Sequence, residues 1–217
     1  MQRLKAALVM AVMIAALEGC GREAGNVATS TPAPAAPRTK AADWTFQEED
    51  AAIVGPPFSV GAFTIRPPAQ FALIKQASTA TTYIWAGPIR ADESYPTFTI
   101  LIQRLPEPNP YPSDEAMIAD AVKGIEGHRT DWKPGNIEHG TISGQPFVRT
   151  SWSGIANEKS RTNLVGKQMH GIVYLTVLDG KIVEFLAEDA AADDEPWMKR
   201  AAAAISTFDA GGVSLPR

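Results

Sequence analysis

The chain has few of the residues and motifs that enzymes use. Its 217 residues include one cysteine, Cys20, and three histidines, His128, His139 and His170. A single cysteine excludes a disulfide within the chain, so the fold depends on its hydrophobic core. The patterns G-x-S-x-G, Ser-x-x-Lys, H-E-x-x-H and C-x-x-C are missing, as is an EF-hand loop. These absences favour a non-catalytic protein that uses no metal or other cofactor.

The chain also lacks a basic stripe and a long hydrophobic run. Its 20 basic and 24 acidic residues give a net charge of −4, which does not favour nucleic-acid binding. The apolar run at 6–17 is about 12 residues long, whereas a membrane-spanning helix needs about 20. Such a run after Arg3 and Lys5 is typical of a secretory signal peptide. We therefore predict a signal peptide over residues 1–19.

The sequence Leu17-Glu18-Gly19-Cys20 resembles the lipobox of bacterial lipoproteins, in which an apolar residue and two small residues precede a cysteine. The resemblance implies that the Cys20 sulfur carries diacylglycerol, that a peptidase cuts before Cys20, and that the new amino terminus is acylated, as with palmitate. Two or more acyl chains hold a protein stably at a membrane. Glu18 departs from the pattern, because a small residue is usual there. The alternative is an ordinary unreactive thiol.

Residues 20–43 are predicted to be a disordered tether after the lipidated cysteine, because they are rich in Ala, Pro, Thr and Ser and have no apolar period. Residues 44–210 are predicted to form a single globular domain, and residues 211–217 a frayed tail. Gly21 stands where an Asp would favour retention at the inner membrane in enteric lipoproteins. The resemblance therefore favours the periplasmic face of the outer membrane.

The domain is predicted to be α+β, with an antiparallel sheet and helices packed against it. Ser113 is a suitable N-cap for a helix that ends near Gly127, and Pro196, preceded by Asp194 or Glu195, opens a closing helix. Asp179-Gly180 between apolar runs favours a type I′ hairpin. Strands are predicted over 58–65 with a bend at Gly61, and over 71–74, 82–85, 97–105, 137–143, 146–152, 167–178 and 181–188. Residues 129–135 are predicted to be a loop.

This pattern resembles the PsbP/Mog1-like superfold over residues 57–208. The matching segments are an early hairpin followed by the Pro-rich segment 63–71, the helix 113–127, the segment 144–148, the Asp179-Gly180 hairpin and the closing helix that ends at 205–208. The resemblance implies an α/β/α sandwich and a non-enzymatic accessory or binding role. All of the matching positions belong to turns or to the core, so none of them identifies a ligand.

The best candidate contact residues are Trp152, Arg149 and Arg161. Tryptophan with arginine is the composition of interface anchors and of anion or carbohydrate sites. The alternative is that Trp152 belongs to the sheet core, because Val148 shares its face. The polar loop 156–162 is predicted to be exposed and to be the contact loop for a partner.

Three other interpretations stay open at this point. His128 and His139 flank the segment 129–135 and could form a zinc site or the centre of an envelope hydrolase with distant acids, or they could be separate surface residues. The acids 188–189 and 193–195 could bind calcium, or they could lie in a solvated loop near the last helix. A large apolar pocket would indicate a small-molecule carrier. The favoured prediction is a lipid-anchored cell-envelope protein that binds an unidentified envelope protein.

Overall fold

A computed structural model describes residues 42–190 and 196–211. The predicted signal peptide, Cys20, most of the tether, the acids 193–195 and the tail beyond Gly211 lie outside these residues. Ala42 and Asp43, the last two residues of the predicted tether, form the first strand. Among the described residues, no helix has the length and apolar character needed to cross a membrane.

The structure has eleven strands and two α-helices within the described residues. The strands are β1 (Ala42–Asp43), β2 (Phe58–Val60), β3 (Phe63–Ile65), β4 (Ala72–Leu73), β5 (Thr82–Ala86), β6 (Thr97–Arg104), β7 (Arg129–Pro134), β8 (Glu138–Ile142), β9 (Gln145–Ala156), β10 (Gln168–Leu178) and β11 (Lys181–Ala190). The helices are α1 (Asp114–Glu126) and α2 (Pro196–Ser206), and short 3-10 helices cover Glu48–Ile53 and Thr162–Leu164.

Nine strands form one sheet in the order β1-β8-β9-β10-β11-β6-β5-β4, and β7 also pairs with β9. Every pair in this sheet is antiparallel except β1 with β8. Strands β2 and β3 form a separate hairpin. The predicted α+β class with an antiparallel sheet is confirmed.

The longest strands lie at the centre of the sheet because their side chains are apolar on both faces. Strand β10 pairs with β9 on one side and with β11 on the other. The turn between β10 and β11 is Asp179-Gly180, with φ of +50° and +68°, as a type I′ turn requires. The predicted hairpin is confirmed.

Both predicted helices are present. The Ser113 hydroxyl accepts a hydrogen bond from the Ala116 amide at 3.3 Å and so caps α1. Two acidic side chains, Asp114 and Glu115, follow in the first turn of α1, where they suit the helix dipole. Helix α2 begins at Pro196, as predicted.

The two helices cover opposite faces of the sheet, which gives three layers. On the α2 face the core is built mainly from aromatic and β-branched side chains, including Phe63, Phe98, Phe147, Phe185 and Phe208. On the α1 face the core is smaller and includes Met117, Ile118, Trp152, Met169 and Val173. Of the candidate contact residues, Trp152 belongs to the core on the α1 face.

Several predicted boundaries are wrong. Residues 129–135 were expected to form a loop, but 129–134 pair with β9 as strand β7, with a register shift near Asp131. This strand lies at an edge of the sheet and buries few side chains, so its sequence is mostly polar and contains residues typical of turns. The sequence therefore shows no strand pattern there. At the predicted bend, Gly61 with φ of +56° reverses the chain between β2 and β3, which form the early hairpin that the resemblance implies. Strands β9 and β11 extend beyond their predicted ends to Ala156 and Ala190.

Candidate functional site

Trp152 lies in the core beneath α1. Its side chain is 3% exposed and stacks on Trp132, with ring centroids 5.4 Å apart and an angle of 24° between the planes. The guanidinium of Arg129 lies 5.0 Å from the Trp152 ring. This placement follows the core interpretation of Trp152, because a residue this deeply buried cannot be an exposed anchor for a partner.

Arg149 lies on the opposite face of the same strand. Its guanidinium is 4.2 Å from the ring of Trp44 and donates to the Tyr174 hydroxyl at 2.9 Å. It also donates to one oxygen of Glu138 at 2.6 Å and 2.9 Å. Burial alone would lower the pKa of Arg149, but the Tyr174 hydrogen bond and the Glu138 carboxylate together raise it. Arg149 thus holds Trp44 against the sheet.

Arg161 is the one predicted contact residue that lies on a loop. Its guanidinium is 4.4 Å from the ring of Tyr95, and both side chains are half-buried. The loop that carries Arg161, residues 157–167, meets the loop 87–96. The structure therefore separates Arg161 and Arg149, because Arg149 lies in the middle of the sheet on the α2 face.

The two loops are joined by specific polar contacts. The Asn163 side chain donates to the Glu93 carbonyl at 2.7 Å. The Lys167 ammonium contacts the Asp92 carboxylate at 2.5 Å. The Lys167 ammonium, with the Ser94 hydroxyl, holds the pKa of Asp92 well below its usual range. These contacts fix the two loops as one unit.

Side chains of interface type lie on this unit, which we call the loop surface and define as Ile89, Tyr95, Arg161 and Val165. Ile89 is 74% exposed and Val165 is 47% exposed. Exposed aliphatic side chains on the same two loops as an aromatic–arginine pair have the composition of protein interfaces. The predicted contact loop 156–162 supplies Arg161 to this surface. Sequence reasoning missed Ile89 and Tyr95, since their loop meets the Arg161 loop only in the folded chain.

Partly buried polar contacts tie the two loops to the sheet. Arg129 donates to Glu188 at 2.9 Å and to the Ser160 hydroxyl at 3.0 Å. Burial lowers the pKa of Arg129 below its ordinary value, although Glu188 opposes that shift. Arg90 forms two hydrogen bonds with the Asp189 carboxylate, at 2.7 Å and 2.6 Å. These contacts hold both loops in a fixed position on the sheet.

Two of the acids considered for calcium, Glu188 and Asp189, have other partners. Glu188 and Asp189 are engaged by Arg129 and Arg90, and 193–195 lie outside the described residues. In the part of the chain that the structure describes, no group of three His, Cys, Asp or Glu side chains is placed to hold a metal. The geometry of the described residues therefore offers no support for a calcium site.

His128 and His139 lie near opposite ends of α1. The Nε2 atom of His139 is 2.8 Å from the carboxylate of Glu115 in the first turn, and His128 follows the last turn. The Nδ1 atom of His128 is 2.8 Å from the Lys159 carbonyl oxygen. A helix of 13 residues is about 20 Å long. This separation excludes a metal site or catalytic centre shared by the two histidines.

Glu184 has an unusual environment outside the loop surface. It lies on β11 between Leu175 of β10 and Leu101 of β6, the residues directly opposite it. Its side chain is 7% exposed and forms no hydrogen bond or ion pair with the residues the structure describes. Burial raises the pKa of Glu184 to about 7. The sequence pattern does not indicate that Glu184 is buried. If side chains alternated simply between core and solvent along the strand, Glu184 would be on the solvent side.

Comparison with known proteins identifies the fold. No protein-family model matches the chain, and no curated protein sequence matches it. Three solved structures align with most of the described domain, and the first of them, with a TM-score above 0.5, shows the shared fold. The first is the Ran-binding protein Mog1p of Saccharomyces cerevisiae, with a TM-score of 0.51 and 12% identity over 73% of this chain and 96% of that one.

The second is the cyanobacterial PsbP of Synechocystis, with a TM-score of 0.49 and 14% identity over 72% of this chain and 92% of that one. The third is LpqN of Mycobacterium tuberculosis, which is involved in cell envelope biogenesis. It has a TM-score of 0.47 and 13% identity over 71% of this chain and 83% of that one. Identities this low show the fold and leave the activity open. The described domain has the PsbP/Mog1-like α/β/α sandwich fold that the sequence resembles.

Proposed function

We propose that this chain is an exported protein, anchored to a bacterial membrane through lipid on Cys20, which binds an envelope protein in a non-catalytic accessory role. The single observation that carries the proposal is the order of segments at the amino terminus. Basic residues, a short apolar run, a lipobox-like sequence ending in Cys20 and a Pro/Ala-rich segment precede the folded domain. This order is that of a lipoprotein whose domain stands off the membrane.

The position of β1 supports the anchoring proposal. Ala42 and Asp43 pair with β8 at one edge of the sheet, and the Trp44 amide donates to the Thr141 carbonyl at 2.8 Å. The chain therefore enters the domain at one edge. An extended tether of about 22 residues spans up to about 70 Å. That reach would leave the loop surface accessible to a neighbouring protein.

The loop surface supports the binding role. It presents Ile89 and Val165 to solvent beside the Tyr95–Arg161 pair, on loops fixed by ion pairs. The yeast protein with this fold is itself a Ran-binding protein, so a binding role is compatible with the architecture. The Gly21 position favours the outer membrane over the inner membrane for the proposed anchor.

Intact-mass measurement tests the anchor. Protein purified from its native membrane is expected to begin at Cys20 and to carry acyl chains, whereas the Cys20→Ala variant is expected to lack them. A Glu18→Ala variant, which restores a small residue, is expected to be processed at least as completely as the wild type. An unmodified Cys20, or cleavage at another position, would reject the anchor.

Site-specific crosslinking tests the partner surface separately. A photoreactive amino acid replaces Ile89 or Val165 in the full chain, and the control replaces Glu107, which is 83% exposed and lies beyond the opposite end of β6. One defined adduct is expected from the loop positions and not from the control. Equal background from all three positions would reject the loop surface as the partner site, whatever the result for Cys20.

A further inference from the structure

A cavity of about 270 Å³ opens on the α2 face, between the β2–β3 hairpin and the ends of β6, β10 and β11. Its walls are apolar and are formed by Val60, Phe63, Ile102, Leu178 and Val183. At about 30 Å³ for a group the size of a water molecule, roughly nine such groups would fill it. This volume suits a single alkyl chain of medium length.

Two cationic side chains line the same cavity. Arg104 on β6 and Lys181 on β11 are directly opposite each other in the register. Opposed residues on neighbouring strands have Cβ atoms about 5 Å apart, and like charges at such positions repel. The sheet therefore places two positive charges side by side at the rim of an apolar cavity. Their repulsion lowers the stability of the fold, and neither charge is needed to form the sheet.

The neighbouring acids compensate these charges only weakly. Arg104 is 3.8 Å from Glu107, and both side chains are 83% exposed, so this pair contributes little. Asp179 also lines the cavity. Lys181 forms no ion pair with any residue in the described ranges 42–190 and 196–211. An anionic group at the rim would satisfy both cations.

We propose that this cavity binds a single-chain amphiphile, with the alkyl chain between the β2–β3 hairpin and the sheet and a carboxylate head group at Arg104 and Lys181. An apolar pocket with a few converging polar groups is the usual form of a small-molecule site. The site goes beyond the proposed accessory role and does not depend on it. The loop surface and the cavity lie at opposite ends of β10, an 11-residue strand about 35 Å long.

Photoaffinity labelling of the full chain in membranes tests the site. The probe is dodecanoic acid that carries a diazirine in its alkyl chain, and the labelled peptides are mapped by mass spectrometry. Label is expected in the peptides that contain Gly61 or Ala80, which line the cavity. Excess dodecanoate is expected to compete with the probe, whereas dodecanol is expected to compete far less.

A charge variant tests the head-group contacts. Arg104→Gln with Lys181→Gln is expected to weaken labelling by about tenfold. The matched control is Lys123→Gln with Lys199→Gln, two exposed lysines elsewhere, and it is expected to label like the wild type. Label spread over the surface would overturn the site. Cavity labelling that survives loss of both cations, or that dodecanol blocks equally, would overturn the anionic ligand.

Discussion

The indole of Trp152 lies over Gly171, the residue directly opposite it on the neighbouring strand β10. A Cβ atom built on Gly171 would overlap the indole ring. The absence of a side chain at Gly171 is therefore what allows Trp152 to lie against the sheet beneath α1. Cross-strand pairing of a glycine with an aromatic ring is a recognised way to cover exposed sheet backbone.

We expect Gly171→Ala to lower the free energy of unfolding by about 2–4 kcal/mol, because the new methyl group displaces Trp152 from a packed core. Urea denaturation measures the change. Gly124→Ala is the control, since a Cβ atom at Gly124 in α1 would meet no neighbouring atom within 4 Å, and it should stabilise by about 1 kcal/mol. In a Trp152→Leu background, Gly171→Ala should lower the free energy of unfolding by less. An unchanged loss would show that the Gly171–Trp152 contact is not its cause.

Glu184 predicts a pH dependence of stability. Its folded pKa of about 7 lies above the ordinary value of 4.5, so the folded state keeps a proton that the unfolded chain releases. Protonated Glu184 therefore makes its full contribution to the free energy of unfolding below about pH 4.5. That contribution is lost as the pH rises from about 4.5 to about 7. The total loss is about 3 kcal/mol. Denaturation between pH 4 and pH 8 measures it.

The variant Glu184→Leu should remove this pH dependence and raise stability at pH 8, because leucine suits the apolar neighbours Leu101 and Leu175. Glu126→Leu, at an exposed position, is the control and should keep the wild-type pH profile. If Glu184→Leu kept the same slope between pH 4.5 and pH 7, another group would have to be its source.

Removing one partner of the Arg129–Glu188 ion pair should lower the stability of the protein strongly. The Arg129 side chain is 6% exposed and Glu188 is its carboxylate partner. Glu188→Ala should therefore cost about 3–5 kcal/mol, because it leaves a buried cation unpaired. The double variant Glu188→Ala with Arg129→Met should recover part of that loss. Thermal denaturation compares the wild type, the two single variants and the double variant. If the losses of the two single variants simply added in the double variant, the two side chains would not interact.

Arg149 predicts a difference between arginine and lysine. Its guanidinium stacks on Trp44 and binds Glu138 and Tyr174 at once, which a lysine ammonium cannot reproduce. We expect Arg149→Lys to lose about 1–2 kcal/mol and to speed hydrogen exchange at the Trp44 amide. Full protection of that amide in the lysine variant would contradict the role of the guanidinium.

The elements predicted correctly from sequence are those with strong local signals. Ser113 before a helical apolar period identifies α1, and Asp179-Gly180 between apolar runs identifies the central hairpin. Strand β7 was missed because its register on β9 depends on a long-range pairing that Asp131 and Pro134 disguise locally. The parallel pairing of β1 was missed because two residues carry no periodicity.

The site was predicted less well than the fold. Trp152, Arg149 and Arg161 follow each other closely in sequence, but alternation along β9 sends Trp152 and Arg149 to opposite faces, and Arg161 lies beyond the end of the strand. Tyr95, the neighbour of Arg161, is distant in sequence, so only tertiary structure could reveal it. The opposed cations Arg104 and Lys181 are equally invisible until the β6–β11 register is known.

The pairing of β1 with β8 has a mechanical consequence. Any tension applied through the chain before Ala42 reaches the domain at a strand of two residues, at Trp44, and at the Arg149 side chain over its ring. Gly140 lets Trp44 approach the sheet closely, since a Cβ there would be 2.5 Å from the indole. The first event under such a pull would be peeling of β1 and Trp44 from the sheet edge, which would lengthen the proposed tether while the central strands stayed paired.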